Sequence, residues 1–201
     1  MQDLPVDQRF RIRILQASGL ILLPALVLCA PLLVGSIHEV LEFMGLGLVL
    51  ACIAGRMWSI LYIGTRKNRV LTTSGPYSTT RNPLYFFSTV GAIGIGLITG
   101  SIVAAVVLGV LAYFILNATA AKEAAHLRSL FGARYDEYAQ RTPAFWPDLS
   151  LYRDQEEVTF SPVALKSTFL DGLVFLAAFP LIELTEHLQA IGYLPTLILL
   201  P

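Results

Sequence analysis

Apolar residues run in five long blocks, at about 17–37, 41–63, 83–99, 101–120 and 163–184, separated by short polar or Gly/Pro interruptions. Each is near the ~20 residues an α-helix needs to cross the hydrocarbon core of a bilayer. The third and fourth blocks meet at Thr99-Gly100-Ser101, which leaves room only for a tight turn and predicts an antiparallel helical hairpin. A sixth apolar piece, Ala190 to Pro201, is short and carries Pro195 and Pro201, so it is expected to lie in the interface or tuck against the bundle. After the fourth block Leu127, Leu130, Phe131, Tyr135 and Tyr138 recur at helical spacing among Arg128, Asp136 and Glu137. That pattern predicts an interfacial helix from about Lys122 to Gln140, ended by Pro143 and Pro147. The expected fold is all-α: a single membrane domain over residues 1–201, with about five spans and one cytoplasmic interfacial helix.

Composition supports a chain that lives in lipid: 55% of the 201 residues are hydrophobic and 14% charged, with a mean hydropathy of +0.66. Soluble domains carry fewer apolar and more charged residues. Net charge is formally zero, which removes the electrostatic attraction a nucleic-acid binder uses on phosphates, so no nucleic-acid partner is expected. Cys29 and Cys52 sit in apolar runs without a paired spacing and read as small hydrophobes.

Charge also sets the expected orientation. Arg9, Arg11 and Arg13 precede the first block in the manner of a signal peptide, but the block is long enough to span and lacks a small-x-small cleavage site, so it is expected to be retained. Arg66, Lys67, Arg69 and Arg81 lie between the second and third blocks, and Lys122, Arg128, Arg134 and Arg141 follow the fourth. All three basic segments fall on one side of a five-span arrangement, which places the amino terminus and the chemistry in the cytoplasm.

The polar segments on that side hold most of the reactive side chains. Ser74-Gly75-Pro76-Tyr77 is a turn by composition. In Arg81-Asn82-Pro83, Pro83 suits the first turn of a helix, whose amino-terminal N–H groups would favour an anionic ligand group. Helix capping by Asn82 and membrane anchoring by Arg81 are the alternative uses. Glu123 stands where the fourth span leaves the bilayer, either as a solvated interfacial residue paired with Lys122 or Arg128 or as a ligand contact. Arg56 lies within the second span, where an unpaired charge costs ~2.5–3.5 kcal/mol; it either snorkels to the surface or faces the bundle interior. Arg141 reads as a cytoplasmic anchor or as a contact to an anionic substrate group. Asp171 and Glu183 carry no assignment.

Three other patterns do not carry chemistry. Gly91, Gly94 and Gly96 have the wrong order for a dinucleotide fingerprint, and Gly96 with Gly100 suits helix packing. Asn117-Ala118-Thr119 is a sequon inside a span. His38, His126 and His187 lack metal-ligand spacing, so no metal is expected.

The ordered pieces Gly75-Pro76-Tyr77, Arg81 to Tyr85, Glu123 to Leu127, Phe131-Gly132, Tyr135, Tyr138 and Arg141 to Pro147 resemble the core of the isoprenylcysteine carboxyl methyltransferase and phospholipid methyltransferase group. The resemblance covers about Gly45 to Trp146. It implies an S-adenosylmethionine pocket made by the Arg81–Tyr85 segment and the Glu123 segment, brought together by the hairpin beside a tunnel into lipid. Tyr77, Arg81, Asn82, Pro83, Tyr85 and Glu123 fall on the cofactor-binding motifs, Arg81 and Arg141 on catalytic positions and Arg56 on a substrate-binding one. Family members often carry His at Asn82 and a second acidic residue at Ala124; an Asn still hydrogen-bonds but cannot act as a general base.

The function implied is methyl transfer from S-adenosylmethionine to a lipophilic or amphipathic acceptor, by direct displacement that needs alignment and desolvation more than acid–base groups. An NADPH-dependent membrane reductase of the sterol-reductase kind and a non-catalytic membrane binding protein are the alternatives.

Overall fold

The computed structural model describes residues 29–31, 35–64, 70–195 and 198–200. Among them are six helices: α1 Ser36–Ile63, the single turn α2 Pro76–Thr79, α3 Pro83–Ile98, α4 Ile102–Phe131, α5 Ala133–Arg141 and α6 Pro162–Ala190. Three of these, α1, α4 and α6, are long and apolar enough to cross a membrane. At 16 residues, α3 is about 24 Å long, short of the ~30 Å core. Most of the first apolar block lies outside the described residues.

Two elements depart from the sequence reading. Cys29–Pro31 (β1) is a three-residue strand paired in parallel with Ile198–Leu200 (β2), so among the described residues the regular structure is helical apart from one short strand pair. Pro31 has no amide hydrogen and biases the residue before it away from helix, which favours extended backbone there. The helix expected to begin near Lys122 does not begin there: α4 runs unbroken to Phe131. Ala120 to Ala125 contains only good helix formers, so the change from apolar to charged residues does not interrupt the backbone. The break comes at Gly132, whose φ of +54° is a conformation that a side chain resists.

Local signals explain the other ends. Ser101 caps α4 by accepting from the Ala104 N–H at 3.0 Å, and Ser161 caps α6 through the Ala164 N–H at 3.2 Å, each supplying an acceptor to an otherwise unpaired donor. The α3–α4 turn is as tight as Thr99-Gly100-Ser101 predicts. Gly96 lies against the Ala105 backbone as a packing residue should, whereas Gly100 sits in the turn itself, with φ +66°.

The core lies where α1, α3 and α6 meet: Val49, Ile53, Ile98 and Ile182 are buried there, with Met57, Ile95, Phe175 and Phe179 packed around them. Backbones approach most closely where Gly45 faces Gly94, since a Cβ on Gly45 would stand 2.6 Å from the Gly94 carbonyl oxygen. Small residues at crossings are how helices gain contact where lipid removes the hydrophobic drive to associate. Outside the hairpin, α4 exposes Val103, Val106, Val110, Leu111 and Phe114, a face suited to lipid. Within the bundle Arg56 pairs with Asp171 at 4.0 Å, and His38 Nε2 lies 3.4 Å from a Glu186 carboxylate oxygen.

Candidate functional site

Among the described residues, Ser74 to Thr80 is the most buried polar stretch. Ser74, Tyr77, Ser78, Thr79 and Thr80 are all buried, and α2 folds within it because Pro76 occupies the first helical position after Gly75. The Ser78 and Thr79 hydroxyls donate back to the Gly75 and Pro76 carbonyls at 2.7 and 2.9 Å, which closes the turn locally. Pro83 then starts α3 with Asn82 at its cap position. The Asn82 side chain does not cap the helix: its Nδ2 donates to the Ala144 carbonyl at 2.7 Å, tying the start of α3 to the chain beyond α5.

Gly132 turns α5 back over this segment. The Tyr138 hydroxyl donates to the Tyr77 carbonyl at 2.7 Å, and Arg81 Nη1 donates to Tyr135 Oη at 3.4 Å. Both tyrosines are buried. On the exposed side Arg128 and Asp136 pair at 2.6 Å across the Gly132 break, holding α5 at its angle to α4.

Two of the sequence-chosen side chains, Glu123 and Tyr85, lie close to the buried Tyr77 phenol. Its ionisation is pushed well above the ordinary range, first by burial and then by Tyr138, Glu123 and Tyr85 close by. The Tyr138 hydroxyl is raised as well, chiefly by burial and then by Tyr135, with Arg81 opposing. Both phenols are therefore protonated at neutral pH and act as donors. Tyr138 spends its proton on the Tyr77 carbonyl. Tyr77 Oη has no hydrogen-bond partner among the described residues, and neither has the buried Arg81 Nε. Two buried donors are thus left without partners, and the carboxylate of Glu123, half-buried on α4, lies near the first of them. Unpaired buried donors cost about 1–3 kcal/mol each, so such an arrangement suits a ligand with acceptors.

Arg141 and Arg56 stand elsewhere. Arg141 is exposed, and its Nε donates to the Glu137 carbonyl at 3.2 Å, one turn back on its own helix. Arg56 is where α1, α3 and α6 meet: it donates to Ser88 Oγ at 2.5 Å, pairs with Asp171 and lies 5.8 Å from the Phe175 ring centroid. Seven residues separate it from the end of α1, about 10 Å along the axis. Tyr135 and Tyr138 belong to the site although periodicity marked them only as an apolar helix face.

The first part of this arrangement, from Arg56 to Glu123, falls within a family match. Residues 26–134, just over half of the chain, match the phospholipid methyltransferase family. The chain belongs to that family. The matched region holds Arg56, Tyr77, Arg81, Asn82, Pro83, Tyr85 and Glu123, and stops one residue short of Tyr135. Two curated relatives extend the likeness. The nickel-cobalt-cadmium resistance protein NccN of Alcaligenes xylosoxydans xylosoxydans is 37% identical over 156 residues, 78% of this chain and 72% of that one. The cobalt-zinc-cadmium resistance protein CzcN of Cupriavidus metallidurans is 37% identical over 155 residues, 77% of this chain and 71% of its own. No solved structure matches the chain significantly.

Proposed function

We propose that this protein transfers a methyl group from S-adenosylmethionine to a lipophilic or amphipathic acceptor at the cytoplasmic face of a membrane. The observation that carries the reading is the pair of buried unpartnered donors, Tyr77 Oη and Arg81 Nε, beside the Glu123 carboxylate in a chain of the phospholipid methyltransferase family. The donor set suits the cofactor: its carboxylate would take the two donors, and its ammonium group or ribose hydroxyls would take Glu123. Bound there, S-adenosylmethionine would supply an electrophilic methyl group with a neutral thioether as leaving group.

The chain's own work is then binding, orientation and exclusion of water. Arg81 orients an anionic group, Tyr77 fixes it from the buried side, Tyr85 and Pro83 shape the wall at the start of α3, and Glu123 holds the opposite end. The Asn82 amide, engaged with Ala144, keeps α3 in place. Arg56 contacts substrate from within the bundle and Arg141 meets an anionic group from the cytoplasmic side. The chain is read as one multi-pass membrane domain with its amino terminus and its site on the cytoplasmic side; a first helical span running through residue 37 is not retained, because Cys29–Pro31 is extended and pairs with Ile198–Leu200. Protein reconstituted in vesicles with methyl-labelled S-adenosylmethionine should move label into an extractable membrane component; no transfer to any lipid-phase acceptor would refute the reading.

The names of the two relatives favour a biological setting for this chemistry, in which the methylated product raises tolerance to cobalt, nickel, cadmium or zinc. A strain lacking the protein should then be more sensitive to these ions, and Glu123→Ala should fail to restore tolerance. Full restoration by that variant would detach tolerance from methyl transfer.

A further inference from the structure

The chain after α5 crosses back over the site segment and bonds to it repeatedly, although 62 to 78 residues separate the two in sequence. The Arg81 N–H donates to the Pro143 carbonyl at 2.9 Å and the Asp148 N–H to the Thr79 carbonyl at 2.9 Å. Thr80 Oγ1 donates to the Phe145 carbonyl at 2.9 Å, and the Arg153 N–H to Ser78 Oγ at 2.9 Å. At the far end the Gly75 N–H donates to the Arg153 carbonyl at 2.7 Å. With the Asn82–Ala144 bond, the backbone on both sides of Tyr77 and Arg81 is held by this one strand of chain.

Beyond the Arg153 backbone bonds, one side chain ties this far end to α1. One Asp154 carboxylate oxygen accepts from the Tyr62 hydroxyl at 2.5 Å and from the Gln155 N–H at 2.8 Å; the other accepts from the Tyr152 hydroxyl at 2.6 Å. Tyr62 is buried at the end of α1, and its ring lies where a Cβ on Gly75 would be, 2.3 Å from that position. Asp154 therefore joins the end of α1, the crossing chain and the first residue of the site turn at one point. Charge-assisted bonds of this kind are about twice as strong as neutral ones. Nothing packs over Asp154, which is exposed, so its role is carried by these bonds and not by burial.

We propose that residues 142–154 are a strap that sets the position of Tyr77 and Arg81, and that Asp154 is the positioning residue that latches it to Tyr62. Its functional half rests on the methyltransferase reading; its structural half does not. The strap acts through the backbone of the site segment and touches no reacting atom.

The test measures amide hydrogen exchange over residues 75–82 together with S-adenosylmethionine affinity, in detergent-purified full-length wild type, Asp154→Asn, Asp154→Glu and Tyr62→Phe. Exchange over 75–82 should accelerate at least tenfold in Asp154→Asn and Tyr62→Phe while the α3–α4 hairpin keeps its protection. Affinity should fall about tenfold in the same two variants, and Asp154→Glu, which keeps two charged acceptors, should recover most of both. Unchanged exchange in the first two variants would overturn the latch, and accelerated exchange with unchanged affinity would overturn the positioning role. If the wild type binds no S-adenosylmethionine, the methyltransferase reading fails and exchange alone decides the strap. If Asp154→Asn does not fold, Tyr62→Phe decides it.

Discussion

At the scale of single residues, the site is built from groups whose ordinary partners are withheld. A Tyr buried among apolar neighbours normally finds an acceptor for its hydroxyl; Tyr77 does not, and its raised ionisation keeps the proton available as a donor. Removing that hydroxyl in Tyr77→Phe should cost one hydrogen bond to ligand, about 1–1.5 kcal/mol or 5- to 12-fold in S-adenosylmethionine affinity by titration calorimetry, with the melting temperature unchanged or raised. An unchanged affinity would remove Tyr77 from the pocket. Asp154 titrates in the opposite direction. Its folded pKa lies below the ordinary carboxylate value, first through the Tyr152 and then the Tyr62 hydroxyl, so its contribution is complete above that ordinary value and lost as pH falls through the folded one. Protection of residues 75–82, taken relative to intrinsic amide exchange at each pH, should therefore fall in wild type as pH drops below about 4, and Asp154→Asn should show the lowered protection at every pH.

At the scale of elements, the bend at Gly132 decides whether Tyr135 and Tyr138 reach the site at all. Its φ of +54° with ψ of −130° is a region that only glycine occupies cheaply, so Gly132→Ala should cost about 1–3 kcal/mol. Thermal unfolding should register that loss, and cofactor affinity should fall with it because α5 carries the bond to the Tyr77 carbonyl. The α3–α4 hairpin offers a control: a Cβ on Gly96 would stand 2.3 Å from Ala105 Cα, so Gly96→Val should destabilise the bundle by overpacking, about 1–3 kcal/mol or more, without acting on the strap. This hairpin was legible in the sequence because two apolar runs met at a three-residue turn. The continuation of α4 past Lys122 was not, since the change from apolar to charged residues marks where lipid can end and says nothing of where a helix does. Tyr77, Arg81 and Glu123 stood out by residue type and order. The strap did not, because its bonds run mainly through backbone groups that any residue possesses, and the Asp154 latch depends on a tyrosine 92 positions away.

At the scale of the molecule, α1, α3 and α6 form the core and α4 stands at its edge, carrying Glu123 on the helix most exposed to lipid. That layout separates two tasks: the core fixes the start of α3, while the edge helix and α5 close the site against it. It also explains why Arg56, paired with Asp171 inside the core, lies apart from the Tyr77 cluster. A cysteine introduced at Ser150, an exposed position within the strap, should react with a membrane-impermeant thiol reagent from the cytoplasmic side only; labelling from the other side would invert the proposed orientation. The most direct test of the central claim is equilibrium binding of labelled S-adenosylmethionine to the purified protein, with Arg81→Ala and Glu123→Ala beside it and NADPH as competitor. Saturable binding that both substitutions abolish and NADPH leaves intact is the expected result, whereas no saturable binding, or displacement by NADPH, would contradict the account.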